Sequence, residues 1–291
     1  MTAPPIDVST LSKTELMKLE REIARRHSGQ FPWEILLWAF GNMACWLCLW
    51  PLVILGYLPL WAAFPVATVT IMLVYLPTHE AQHDIIARPG TKWRWLNELV
   101  GHATSWTIVS PFAVLRYTHL EHHKHANDPA LDPDHTTHAD SAWHAVCKII
   151  RESQPDGQRG RDYAACLERG NRKDLMLQSI AFKMAYFAIL FALAWSGFAL
   201  EAFFLWWLPL QIGLVYVALY LSWAPHHPAK ETGRYRDTRS FRSRLGNIGS
   251  MGMQFHIVHH LHPYIPLTRT PAAYWEMRPI LEARGCNIHE L

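Results

Sequence analysis

Charge is what this chain has little of. Asp, Glu, Lys and Arg together supply only 18% of its 291 residues, and four long stretches are almost free of them. Cysteine is scarce too: the five present form no disulfide framework and no iron–sulfur ligand set. Cys45-Trp46-Leu47-Cys48 matches C-x-x-C, but it sits inside an apolar run, where helix packing is the expected role. No G-x-G-x-x-G dinucleotide fingerprint follows a strand pattern, and no haem-binding domain is recognisable. Any redox chemistry therefore needs electrons from a separate protein. The polar N-terminus places Lys13, Lys18, Arg21, Arg25 and Arg26 before the first apolar run, which is not the layout of a secretory signal. No internal repeat or low-complexity tract is present.

The uncharged stretches are Ile35 to Tyr57, Leu58 to Leu76, Gln178 to Leu200 (with Lys183 its one charge) and Ala202 to Trp223. Each approaches the ~20 residues that cross a bilayer core. They read as two transmembrane hairpins turning near Gly56-Tyr57 and between Gly197 and Glu201, rather than as buried helices of a soluble protein. Of the 27 basic residues, segments 1–34, 77–177 and 224–291 hold five, twelve and nine, Lys183 being the remainder. The positive-inside rule then places both termini and both polar segments in the cytoplasm, with a bacterial inner membrane as the expected location. Leu96 to Leu115 is moderately apolar but holds Glu98, His102, Ser105, Thr107 and Ser110, so it is expected to be a re-entrant or interfacial helix pair. Residues 10–27 are expected to form an amphipathic helix on the anionic inner surface. The expected fold is an all-α integral membrane protein: four transmembrane helices (about 35–57, 58–76, 178–200 and 202–223) under a cytoplasmic helical cap. Residues 1–34 are its amphipathic N-terminal segment, 35–285 the membrane domain and 286–291 a tail.

What the chain has in plenty is histidine. His79 and His83 stand at i, i+4; His119, His122 and His123 at i, i+3, i+4; and His256, His259 and His260 repeat the second spacing. On helices all three patterns point imidazoles from one face. Imidazole suits Fe, Zn, Cu or Ni, and eight ligands exceed the three or four of one zinc site. The count points to two metals, and two nitrogen-held metals suggest oxygen chemistry. The positive-inside reading puts every cluster on one side of the membrane, as shared metals require. A further pair, His226-His227, emerges like His79 at the cytoplasmic end of a hairpin, and a ninth ligand is expected there.

His79-Glu80-Ala81-Gln82-His83 also matches the H-E-x-x-H of zinc metalloproteases, with the glutamate as general base. That alternative leaves both H-x-x-H-H clusters unexplained. A histidine-rich metal-storage or transport protein is the non-enzymatic alternative, but it would be expected to place ligands within the membrane span. Asn127-Asp128-Pro129 and Asp132-Pro133-Asp134 read first as turns, with one or two carboxylates available to orient ligand imidazoles. His135, His138 and His144 lack the repeated spacing and are expected at the surface. His27, His102 and His289 are expected to be unrelated to the metals. Lys230 to Arg244 holds five arginines and one lysine, a basic patch suited to anionic lipid or to an acidic redox partner or carrier.

Three ordered histidine boxes with hydrophobic hairpins between them resemble the membrane fatty acid desaturase superfamily, over roughly residues 35–285. Its desaturases, hydroxylases and ketolases use a non-haem di-iron centre and O2. The stretches Trp223 to Pro228 and His256 to Pro266 look like the C-terminal boxes of bacterial carotenoid ketolases and hydroxylases, which favours His226 over His227. Asn127-Asp128-Pro129 and Asp132-Pro133-Asp134 are also similar to carotenoid ring hydroxylases. The polar insert at about 126–175 departs from the ketolases, so their substrate is not carried over. The resemblance implies two Fe ions held by His79, His83, His119, His122, His123, His226, His256, His259 and His260, with O2 as co-substrate. It also implies a ferredoxin-, rubredoxin- or cytochrome-type electron donor, and desaturation or hydroxylation of an unactivated C–H bond of a lipid. A fatty acyl chain is the first expectation and a carotenoid ring the alternative, followed by decarboxylation of a fatty acid to an alkene.

Overall fold

The computed structural model describes residues 8–154 and 156–288. Among these the chain is helical, and the one bridge between extended residues joins Arg239 to Asn287. Helix α1 (Lys13–Arg26) opens with a capping box, in which Ser12 and Glu15 satisfy each other's backbone N–H groups. The first hairpin is α2 (Trp33–Ile54) and α3 (Leu60–Gln82), followed by α4 (Arg94–Thr107) and α5 (Phe112–His125). The polar insert folds into α6 (Ala142–Glu152) and α7 (Gln158–Arg169), and α8 (Lys173–Trp195) and α9 (Ala199–His226) make the second hairpin. Short α10 (His256–Leu261) and α11 (Thr270–Ala283) complete the cap.

Four of these, α2, α3, α8 and α9, are long and apolar enough to cross a membrane. Leu177, Ile180, Met184, Phe187, Phe191 and Trp195 form an exposed stripe at helical spacing along α8, an apolar face that water does not tolerate at this size. Two buried indoles anchor the second hairpin: Trp46 Nε1 of α2 donates to the Leu205 carbonyl of α9 at 2.9 Å, and Trp206 Nε1 of α9 to that of Thr107 in α4 at 3.0 Å. A Cβ on Gly213 would lie 2.9 Å from Ile71, so glycine there lets α9 approach α3 closely.

The helix ends differ from the hydropathic limits. α3 continues past Leu76 to Gln82, and α9 ends at His226 rather than Trp223. The polar last turn of α3 is covered by protein: Thr78 Oγ1 meets Thr104 Oγ1 at 2.7 Å, and Asn97 Nδ2 donates to the Ala81 carbonyl at 3.0 Å. The Leu96 to Leu115 segment is two helices, broken between Thr107 and Phe112.

Helix α1 requires a correction. Its Leu16, Ile23 and Ala24 are buried with Ile257, Met277 and Ile280 of the cap, so its apolar face covers protein rather than lying in a membrane surface. The same interface buries Glu20, which accepts from His262 Nε2 at 2.9 Å, the Tyr235 hydroxyl at 3.0 Å and Arg234 at 3.3 Å. Burial alone would raise this carboxyl, but those partners outweigh it and hold it below its ordinary 4.5. A depressed carboxylate stabilises the fold fully above its unfolded pKa and ceases to do so as pH falls through the folded one. The native melting temperature is therefore expected to drop on acidification below about pH 4.5, and Glu20→Gln to flatten that part of the profile. Thermal melts of both chains across the carboxylate range check this; parallel profiles would remove Glu20 from the acid response.

Candidate metal centre

The three histidine boxes meet at the inner ends of α3, α5 and α10, with the end of α9 beside them. α3 is stopped at the right place by hydrogen bonds to its last carbonyls. Arg116 Nη2 donates to the Ala81 carbonyl at 3.1 Å while it also holds Glu98 at 2.9 Å and Asp84 at 3.3 Å. Behind α5, Gly101 receives the Phe112 ring, and an added Cβ would fall 2.3 Å from it.

The nine histidines divide into two groups. His79, His83, His119, His123 and His259 form one, and His122, His226, His256 and His260 the other, with donor atoms in each lying within 4.8 Å of one another. Neither group contains a cysteine or a carboxylate. The repeated H-x-x-H-H spacing acquires a physical reason here. On α5 the i, i+4 pair His119 and His123 faces the first group while His122 faces the second; on α10 the pair His256 and His260 faces the second while His259 faces the first. Each helix straddles both groups. Contacts within them are close: His83 Nε2 to His119 Nε2 at 2.8 Å, His259 Nε2 to His123 Nε2 at 3.1 Å, and His122 Nε2 to His226 Nε2 at 3.1 Å. Across the groups, the rings of His123 and His260 stack with centroids 4.1 Å apart.

The donors are in the right chemical state for a cation. Burial first, and neighbouring imidazoles second, hold His83, His119, His123, His256, His259 and His260 well below the ordinary imidazole range, so their rings are neutral. Both ring nitrogens of His79 and of His256, Nδ1 of His259 and Nε2 of His260 are buried without a hydrogen-bond partner. Each orphaned polar atom costs about 1–3 kcal/mol, and a metal that accepts a lone pair removes that cost at one nitrogen of each ring. Ligands about 2.1 Å from a shared ion stand at most about 4.2 Å apart, slightly inside the span observed. Each group could hold a metal ion. His83 and His123 keep some exposure, so the first group is reached from the side of these rings, whereas the His260 side chain is buried.

His122 differs from the others. Burial lowers it, but Asp132, with Asp134 and Asp237 behind, pushes it up to about 9. Asp132 Oδ1 lies 2.8 Å from His122 Nδ1, which leaves Nε2 for the second group. The same carboxylate accepts backbone N–H groups of Asn127 and Asp134, each at 2.9 Å. Asp128, by contrast, only closes its turn, accepting from the N–H groups of Ala130 and Leu131. One participant escaped the sequence reading, and another was read there only as part of a turn. The Asp237 carbonyl lies 2.8 Å from His226 Nδ1, and Asn127, in the left-handed region at φ 68°, donates from Nδ2 to that same carbonyl at 2.8 Å.

Other sequence candidates fall elsewhere. His227 stands outside both groups, its Nδ1 3.2 Å from the Ala139 carbonyl. Glu80 is buried with both carboxylate oxygens 3.3 Å from the Leu267 N–H, turned to backbone instead of toward a group. A protease base is not placed there. His144 is exposed, but His135 and His138 correct the surface expectation: they are half-buried, with ring centroids 4.5 Å apart. The insert folds them inward, since Ser222 Oγ and Trp223 Nε1 of α9 donate to Asp134 and to the Ala139 carbonyl around them. His27 pairs with Glu276 at 2.7 Å and His102 is exposed on α4; His289 lies outside the described residues.

Comparison with known proteins agrees with this geometry. The fatty acid desaturase family model matches residues 46–291, most of the chain, which therefore belongs to that family. An sn-1 oleoyl-lipid 12-desaturase of Anabaena variabilis is 34% identical over 96 residues, 32% of this chain and 25% of the relative. A fatty acid conjugase of Calendula officinalis is 22% identical over 240 residues, 70% of this chain and 63% of the relative. A zeaxanthin 4-ketolase of Chlamydomonas reinhardtii is 27% identical over 222 residues, 74% of this chain and 43% of the relative. The chain thus spans less than two thirds of the length of each.

Proposed function

We propose that this family member is an O2-dependent membrane oxidoreductase that desaturates or hydroxylates an unactivated C–H bond of a lipid, with two irons held by the nine histidines. The observation that carries this reading is the sorting of nine imidazoles, six of them held neutral by burial, into two carboxylate-free groups with orphaned nitrogens. Iron bound there would supply O2 activation and the oxidising power for C–H cleavage. The chain's own part is to orient His122 through Asp132 and His226 through the Asp237 carbonyl, and to keep the donors dry beneath the cap. Apolar α2, α3, α8 and α9 deliver a lipophilic substrate to the exposed side of His83 and His123. On this reading the cap and both termini are cytoplasmic, where the basic residues concentrate and a soluble donor of ferredoxin, rubredoxin or cytochrome type has access. An acyl-lipid omega-3 desaturase of Nostoc whose name specifies ferredoxin is 27% identical over 113 residues and supports that donor class.

The substrate is proposed to be a fatty acyl chain, supported by the desaturase and conjugase similarities. A carotenoid ring is the second reading, favoured by the ketolase similarity across 74% of the chain. Expression in a host that makes both fatty acids and β-carotene, followed by mass spectrometry of lipids and pigments, tests them. New unsaturation or hydroxyl groups in acyl chains are expected. Oxygenated carotenoid with unchanged acyl chains would replace the first reading by the second. No product in either pool, with iron loaded and a competent donor supplied, would reject both substrates.

A further inference from the structure

Away from the histidines, a cavity of about 210 Å³ opens between α1, the loop after α9 and the end of α10, lined by Arg21, Arg25, Arg234, Leu261, His262 and Tyr264. We infer that this cavity is a binding site for a phosphate group. Arg21 and Arg25 stand one helical turn apart on α1, and Lys18 extends the same face. Like charges at this spacing repel and destabilise a helix. Among the described residues no carboxylate lies within ion-pair distance of either guanidinium, whereas the adjacent Arg26 pairs with Glu276. The acid beneath the cavity does not offset them either. Glu20 Oε1 is engaged by His262 and Arg234 and its Oε2 by Tyr235, so its charge is spent within the wall. His262 is fixed on its other side, Nδ1 lying 3.0 Å from the Tyr264 hydroxyl. What remains is a concave, net-positive pocket with planar guanidinium forks, the geometry that grips phosphate oxygens in pairs.

Two sources share that chemistry, a phospholipid headgroup and a soluble phosphate. The position favours the lipid. Arg25 is separated by a short loop from Trp33, where α2 begins, and exposed Trp33, Trp93 and Trp95 gather at that level as aromatic residues do at a membrane–water boundary. α1 would then hold the cap to the headgroup layer through its basic face, its apolar face being occupied by protein.

The test uses the full-length chain, released from membranes containing phosphatidylglycerol and phosphatidylcholine and examined by native mass spectrometry. Phosphatidylglycerol is expected to be retained in preference to phosphatidylcholine, and the double variant Arg21→Ala/Arg25→Ala to lose about tenfold of that retention. Arg21→Lys, which keeps the charge and loses the fork, is expected to fall between. Arg151→Ala/Arg161→Ala removes the same charge from exposed positions outside the cavity and outside the basic stretch 230–244, and is expected to retain lipid as the native chain does. Displacement of lipid by inorganic phosphate would show that the phosphate group alone suffices; failure to displace it would assign the site to the lipid. Equal retention by the Arg21→Ala/Arg25→Ala chain, or equal loss by the Arg151→Ala/Arg161→Ala chain, would overturn the proposal.

Discussion

Alanine at His256 and alanine at His259 are both expected to abolish turnover, yet to differ in the metal they release. The two residues sit three apart on α10 but face different groups. Losing His256 leaves the second group with three imidazoles, fewer than the four of a closed tetrahedral site, and the chain should shed about one metal. Losing His259 leaves the first group with four imidazoles, and less metal should be lost. The same split is expected on α5, with His122→Ala shedding more metal than His123→Ala. Metal analysis of each purified variant, paired with turnover, checks this. His144→Ala, exposed on α6, should change neither. Equal metal loss from the paired variants would show that the two groups are not separate sites, and full activity in any of them would remove that residue from the centre.

Much of this arrangement was legible in the sequence because it rests on local period. Spacings of three and four residues put imidazoles on one helical face whatever the rest of the chain does, and uncharged runs near twenty residues long announce membrane helices. His226 was legible by position, at the end of the fourth span. The partition into two groups was not, because it depends on how α5 and α10 cross, which no single segment encodes. Asp237 was invisible for a different reason: it meets His226 through its main-chain carbonyl, which any residue type carries. His135 and His138 lack a periodic partner, and only the folding of the insert onto α9 buries them. The apolar stripe of α1 was read correctly as a stripe but assigned to the wrong partner, since hydrophobic patterning does not distinguish a membrane from a protein cap.

Asp132→Asn is expected to weaken the second metal site selectively. The carboxylate holds the Nδ1 side of His122 at 2.8 Å and two backbone N–H groups at 2.9 Å, so it fixes both the ring and the turn behind it. An asparagine keeps the shape but offers one acceptor oxygen where the aspartate offers two, and the removed charge no longer favours the proton on Nδ1. Loss of such a supporting partner ordinarily costs about 10–100-fold in metal affinity or activity. Metal titration of the stripped chain should therefore show two binding steps of which only one moves, by that factor, with turnover following it. Asp128→Asn is the control: Asp128 is four residues away and accepts from the turn N–H groups of Ala130 and Leu131, so neither step should move. Restoring excess metal should recover much of the Asp132→Asn activity, because the donor set itself is intact. If both steps weaken together, Asp132 acts through the fold of the insert instead of through His122; if neither does, His122 is held without it.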